Sequence, residues 1–326
     1  ETGPEYASRK VRTEYFVDHS REVLTRNDSP DLPFEYSLNP YRGCEHGCSY
    51  CYARPYHEFL GLSAGLDFET KIFAKLDAPV LLEKRLCSRG WQAQGIAMSG
   101  VTDCYQPLER QLCLTRRCLE VFLGFKHPVE IITKNALILR DLDLLAELAR
   151  LRLVRVSISV TTLDAALCRA MEPRAVSPAR RLEAIRQLSA AGVPTGVNVA
   201  PVIPGLTEQE MPAILAAAAS HGAYAAGYIV LRLPYAVKEV FLAWLQEHAP
   251  HKAARVRHGI EAMRAGALND PRFGSRMKGE GVRADLLAQL FRVHCQRLGL
   301  RTERTPLATE HFRPADAAQG ELFGSG

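Results

Sequence analysis

Val129-Glu130-Ile131-Ile132-Thr133, Asp141-Leu142-Asp143-Leu144-Leu145-Ala146-Glu147-Leu148-Ala149-Arg150 and Leu153-Val154-Arg155-Val156-Ser157-Ile158-Ser159-Val160 follow one another in the middle of the chain. Two short β-branched runs separated by an amphipathic stretch read as strand, helix, strand. The same alternation extends in both directions. On the N-terminal side, Gly95 to Ser99 reads as a strand and Pro107 to Gly124 as a helix. On the C-terminal side, Ser177-Pro178 has the form of an N-cap with proline at the first helical position, and Gly192 suits the stop. Pro194 to Ala200 is strand-like, Thr207 with Glu210 reads as a capping box, and that helix ends near Gly222. Gly227 to Leu233 and Pro234 to His248 supply one more unit.

With the cysteine-bearing segment ahead of Gly95 as the first unit, this makes about six strand-helix units in roughly 220 residues, joined by right-handed crossovers into a parallel sheet. A closed eight-fold barrel needs more chain, so the expected fold is α/β, a partial and open (β/α)6 TIM-like barrel, with a doubly wound sheet as runner-up. The expected division is an N-terminal extension over 1–35, the barrel over 36–250 and a basic extension over 251–326 that closes it. Turn formers crowd Leu268 to Gly281, ahead of a helix over Val282 to Leu298. In either fold ligands gather at the C-terminal ends of the strands. There the sequence places Thr102-Asp103, Thr133-Lys134-Asn135, Ser157, Ser159 and Asn198.

The 326 residues are 47% hydrophobic and 24% charged, and no stretch approaches a membrane span. Glu1-Thr2-Gly3-Pro4 reads as a trimmed end without targeting character. Nine scattered or clustered cysteines, an odd number, suit a reducing cytosol. Residues 251–326 hold 13 Lys+Arg against 8 Asp+Glu, so the whole net charge of +5 lies there. Such a segment suits phosphate groups of nucleic acid, but a plain solvated surface is the stronger reading, because charge alone says little about partners and no aromatics are interleaved for stacking.

Three cysteines stand together in Arg42-Gly43-Cys44-Glu45-His46-Gly47-Cys48-Ser49-Tyr50-Cys51-Tyr52. Positions 44, 48 and 51 also fit one helix face, but Gly43 and Gly47 favour a loop passing close to a ligand. Three thiolates can hold three irons of a cubane and leave the fourth open for chemistry. The rival is a zinc site completed by His46 or His57, which would make the chain a non-catalytic, zinc-stabilised nucleic-acid-binding protein.

The Cys-x3-Cys-x2-Cys loop with Tyr50 before its third cysteine, followed by the strand-helix series, resembles the radical S-adenosylmethionine (SAM) superfamily. Cys48-Ser49-Tyr50-Cys51-Tyr52-Ala53 and Ile132-Thr133-Lys134-Asn135 are similar to the spore photoproduct lyases and their bacterial relatives. The resemblance covers about residues 36 to 235. It implies a 4Fe-4S cluster on Cys44, Cys48 and Cys51 whose open iron binds SAM. One electron, from a donor such as flavodoxin or ferredoxin, then yields a 5′-deoxyadenosyl radical that abstracts hydrogen from substrate. By position, Tyr50 lies beside the adenine, and Lys134 pairs with the methionine carboxylate. Thr102 with Ser157 or Ser159 binds the polar end, and Val202 and Ile203 form an apolar strip on the adenine side. Tyr50 and Tyr52 match tyrosines of a radical relay.

One position departs from the lyases. Val101 falls approximately where they carry the cysteine that returns hydrogen to the product radical, and valine cannot donate it. Cys104, three residues on, could replace it only if the loop carries it back towards the cofactor; the stronger reading of Cys104 is a structural thiol. Nucleic acid is therefore an admissible substrate, without being implied.

Overall fold

The computed structural model describes residues 12–314; the reading of Glu1 to Pro4 lies outside these residues. Ten strands occur among them: β1 (Glu14–Val17), β2 (Leu24–Arg26), β3 (Tyr36–Leu38), β4 (Tyr41–Arg42), β5 (Lys71–Ala74), β6 (Ile96–Met98), β7 (Val129–Thr133), β8 (Val154–Ser159), β9 (Thr195–Val202) and β10 (Ala225–Val230). The main sheet runs β10-β9-β8-β7-β6-β3-β2. From β3 to β10 all its neighbours are parallel, and only the edge strand β2 is antiparallel. Six parallel strands in sequential order, with β3 and β10 unpaired to each other, make the open (β/α)6 barrel expected from the sequence. A small second sheet, β1-β5-β4, stands behind the cysteine loop.

Strand alternation sorts side chains between two faces. Val154, Val156 and Ile158 of β8 belong to one core with Leu145, Leu148, Ile185 and Leu188 of the flanking helices. Arg155, Ser157 and Ser159 therefore face the concave side. Cross-strand register stacks this side in layers: Ala97, Glu130 and Arg155 lowest, then Ile132, Ser157 and Gly196, then Ser159, Asn198 and Gly227. The lowest layer is plugged by charge, because Glu130 pairs with Arg155 and, at 2.7 Å, with Arg304. Arg155 also donates to the Thr305 carbonyl at 2.6 Å. That leaves the opposite, C-terminal end of the strands free for a site.

The C-terminal residues cover the free edge of β10. Lys278 Nζ donates to Tyr228 O at 2.7 Å, Arg264 Nη2 to Leu231 O at 3.0 Å, and Ala226 N to Arg301 O at 2.8 Å. The long helix Val282–Leu298 packs Phe291 against Tyr228, with ring centroids 4.7 Å apart. Among the described residues no helix is long and apolar enough to cross a membrane.

Local departures have identifiable causes. The stretch from Pro107 to Gly124 is two helices, Glu109–Leu112 and Leu114–Gly124, broken at Cys113 with φ 51°. The buried Glu109 carboxylate pulls the break in, accepting from Thr115 N at 3.1 Å, from Arg140 at 2.7 Å and from the Tyr41 hydroxyl. Ser177 caps its helix as expected, accepting from Arg180 N. Thr207 and Glu210 do not form a capping box. Thr207 Oγ1 accepts from Ile203 N at 3.0 Å, while Glu210 turns to Thr162 Oγ1 and Leu163 N, each at 2.7 Å. A helix over Ala165–Met171, capped by Asp164, went unread in the sequence.

Candidate functional site

The cysteine loop leaves β4 and lies across the C-terminal ends of the barrel strands. Two glycines let it fold back on itself, Gly43 at φ 76° and Gly47 at φ 64°, a region that side chains with a Cβ avoid. A Cβ on Gly43 would stand 2.8 Å from His57 Cε1 and 2.9 Å from Phe68 O, so the backbone is pressed against the helical turns Arg54–Leu60 and Leu66–Thr70 there. Arg54, 2% exposed, gathers the loop's carbonyls: Nε donates to Cys48 O at 2.9 Å and Nη2 to Gly47 O at 3.1 Å. From the barrel side Gln106 grips the same loop, accepting from Glu45 N at 2.9 Å and donating to Gly43 O at 3.2 Å. Ser49 N donates to Met171 O at 3.0 Å, docking the loop on the end of the helix after β8.

The three thiols lie within electrostatic reach of one another. Burial pushes the Cys44 thiol well above its ordinary value, and Asp103, Cys48 and Cys51 add to the rise. Cys48 is pushed up to about 12 by burial, while Lys134 opposes the shift. A loop that crowds buried thiols, ties its carbonyls inward and needs left-handed glycines fits a metal cluster that takes thiolates in place of protons. The two histidines that could complete a zinc site with these thiols are engaged elsewhere. His57 Nε2 is engaged with Lys71 O at 2.9 Å. His46 Nε2 accepts from Asn135 Nδ2 at 3.1 Å, which leaves Nδ1–H pointing 3.5 Å from Asp103 Oδ2, out of line for a hydrogen bond.

Opposite the loop, Lys134 extends from the end of β7. Its ammonium stands 3.5 Å from Cys48 Sγ, donates to the Tyr50 hydroxyl at 2.9 Å and lies 3.5 Å from Glu172 Oε1. Glu172 is fully enclosed and also receives Arg181, Tyr50 and, at 2.8 Å, Thr161 Oγ1. Burial raises its pKa, but Arg181 and Lys134 outweigh that and hold the carboxyl well below the usual range. Tyr50 is thus fixed by its hydroxyl between Lys134 and Glu172, within the same apolar group as Ile203 and Cys48. Val202 lies one residue away in the main core, and Ser157 and Ser159 face the concave side below.

Thr102 takes a place that the sequence did not foretell, while Cys104 takes the structural place weighed for it. Thr102 is buried and its hydroxyl donates to Tyr41 O at 2.8 Å, so in this structure it braces the loop ends. Cys104 is wholly enclosed in the main core beside Ser99, Thr115 and Glu109, and burial pushes its thiol well above the ordinary value. That placement suits a packing thiol. Val101, by contrast, packs against the buried group of Cys44, Ala53 and Phe68. Tyr52 reaches across the mouth, donating to Gly100 O at 2.5 Å beneath the Arg232 guanidinium, 5.4 Å from its ring centre.

Arg54, Gln106, Glu172 and Arg181 were not singled out from the sequence. Only Glu172 left a trace there. An acid just past a helix C-terminus opposes the helix dipole and needs a partner elsewhere.

Fold and loop together define an open-barrel protein with a three-thiol loop at the C-terminal ends of its strands. A family model described as the Radical SAM superfamily matches residues 38–218. An uncharacterized protein of Mycobacterium tuberculosis is 34% identical over 249 residues, 76% of this chain and 72% of the relative. Another, of Methanocaldococcus jannaschii, is 28% identical over 177 residues, 54% of this chain and 63% of the relative. Among solved structures, spore photoproduct lyase complexed with dinucleoside spore photoproduct superposes with a TM-score of 0.63 at 18% identity, covering 88% of this chain and 81% of that one. The chain belongs to the radical SAM superfamily, and that membership implies SAM and a 4Fe-4S cluster as its cofactors.

Proposed function

We propose that this chain is a radical SAM enzyme that generates a 5′-deoxyadenosyl radical and uses it to abstract hydrogen from a substrate held at the barrel mouth. The observation that carries this reading is Lys134: a cation 3.5 Å from Cys48 Sγ, at the end of a barrel strand and beside Tyr50. When bound, the cluster and SAM together supply the electron and the cleavable carbon-sulfur bond. Cys44, Cys48 and Cys51 would hold the cluster, with Arg54 and Gln106 keeping their loop in shape. Lys134 would hold the methionine carboxylate, a charge-assisted contact. Ser157, Ser159 and Asn198 offer polar groups on the concave side, Tyr50 and Ile203 a flat apolar wall. Glu172 stays ionised beside Lys134 and fixes both Lys134 and Tyr50 in place.

An external one-electron donor such as flavodoxin or ferredoxin belongs to this reading. Nucleic acid is the substrate class to test first, because the fold neighbour is seen with a dinucleoside photoproduct. Return of hydrogen from a cysteine is not part of the reading, since Val101 stands at the loop and Cys104 in the core. Anaerobic reconstitution with iron and sulfide, then reduction in the presence of SAM, tests the proposal. Four irons per chain and release of 5′-deoxyadenosine are expected, with both lost in a Cys44→Ala/Cys48→Ala/Cys51→Ala variant. A colourless protein with one tightly held zinc would overturn it.

A further inference from the structure

Arg232 follows the last barrel strand and faces the gap where the barrel stays open. Its guanidinium lies 5.4 Å from the centre of the Tyr52 ring, and Tyr52 in turn is tied to Gly100 after β6. Tyr52 therefore bridges the mouth from the second parallel strand to the sixth, and Arg232 closes the far side. Among the described residues no carboxylate lies within ion-pair distance of Arg232. Its Nε is shut off from solvent without a hydrogen-bond partner, and Nη1 meets only Met277 Sδ, at 3.7 Å.

The neighbours sharpen the contrast. Arg276 is satisfied by Asp31 at 2.5 and 2.6 Å, and Arg272 by Asp270 at 2.9 Å and Glu280 at 2.8 Å. Arg264 also has an unpartnered Nε, but its two Nη atoms donate to Ser275 O at 2.9 Å and Leu231 O at 3.0 Å, so its role in holding the loop is evident. Arg232 alone of this group makes neither an ion pair nor a bond to a carbonyl. A half-enclosed guanidinium remains charged, and leaving it without an oxygen partner costs free energy that packing on a tyrosine ring only partly offsets. Its Nη groups, which make no bond to oxygen, supply the donors that a carboxylate or phosphate accepts from.

We propose that Arg232 is the receptor for an oxyanion carried by the substrate, a phosphate or carboxylate group, with Tyr52 as the adjoining wall. The assignment rests on the reading of the barrel mouth as the substrate side. It adds a substrate class: an anion, oriented so that the part next to the charged group lies over Tyr52.

Residue-resolved labelling tests this without turnover. The full chain, with its cluster reconstituted, is treated with phenylglyoxal, and the modification rate of each arginine is read by peptide mass spectrometry. The rates are compared with and without inorganic phosphate, acetate or SAM. The expected result is at least a fivefold slowing at Arg232 by phosphate or by acetate, with Arg257, on the outer helix Pro250–Ala262, unchanged. Slowing by phosphate alone names a phosphoryl substrate; slowing by acetate names a carboxylate. No slowing by either overturns the proposal, and so does slowing by SAM alone, which would give Arg232 to the cofactor's own carboxylate. In Arg232→Gln, direct titration of the protecting anion should show at least tenfold weaker binding; unchanged binding contradicts the assignment. Should the wild-type chain release no 5′-deoxyadenosine while Arg232 is still protected, the radical reading fails and the anion site stands.

Discussion

The ammonium of Lys134 stands 3.5 Å from the sulfur of Cys48, although the two residues are 86 positions apart in the chain. The cation is also bound to Tyr50 and lies against Glu172, so it is positioned before any ligand arrives. Replacing it with an isosteric apolar side chain should remove one charge-assisted bond to the SAM carboxylate, worth about 1.5–3 kcal/mol. For Lys134→Met the expected outcome is SAM binding weakened about 10- to 100-fold, with iron content close to wild type. Equilibrium dialysis on reconstituted protein checks it. Unchanged affinity would leave Lys134 as no more than a counter-ion of Glu172.

Glu172 and Arg181 form an ion pair with both side chains almost wholly enclosed. Removing one partner strands the other charge in the interior, which costs about 3–5 kcal/mol. Glu172→Gln and Arg181→Met should each lower the urea midpoint strongly. The double variant Glu172→Gln/Arg181→Met should cost less than the sum of the singles, because both charges of the pair are then removed together. Additive losses in the double-mutant cycle would show that the two side chains act independently.

The parallel barrel was legible because its strands repeat a local pattern. Val129–Thr133 and Val282–Leu298 were read to the residue, and the ends of β8 and β9 to within a few. The cysteine loop was legible because its ligands sit close together in sequence. What could not be read was the frame that holds the loop. Arg54 acts on carbonyls six and seven residues back, and Gln106 on groups about sixty residues away. Such contacts exist only after folding and leave no periodicity.

His127 supplies a pH dependence remote from the site. Its Nε2 accepts from Trp91 Nε1 at 3.1 Å, and Nδ1 donates to Pro128 O at 3.0 Å, so the ring is held neutral. Burial lowers its pKa to about 4 from the ordinary 6.5. Between those values the unfolded chain binds a proton that the folded chain does not, so stability falls as pH drops through that window. From pH 7 to 5 the loss should be about 2 kcal/mol. Denaturant midpoints of wild type and His127→Gln at both pH values check it, and the variant should lack that part of the slope. A parallel pH response in the two proteins would place the titration elsewhere.

Two glycines with nearly the same backbone separate strain from crowding. Gly43 has φ 76° and Gly61 φ 71°, but a Cβ on Gly43 meets His57 and Phe68 O within 3 Å, whereas one on Gly61 meets nothing within 4 Å. Alanine at either position carries the left-handed penalty of roughly 1–2 kcal/mol. At Gly43 it must also push the loop off the helix Leu66–Thr70, where Cys44 N is bonded to Phe68 O at 2.9 Å. That movement displaces the first thiol. Gly43→Ala should therefore take up less than half the iron of wild type on reconstitution, while Gly61→Ala loses a little stability and loads normally. Equal iron in the two variants would mean that the position of Cys44 is not fixed by the close approach at Gly43.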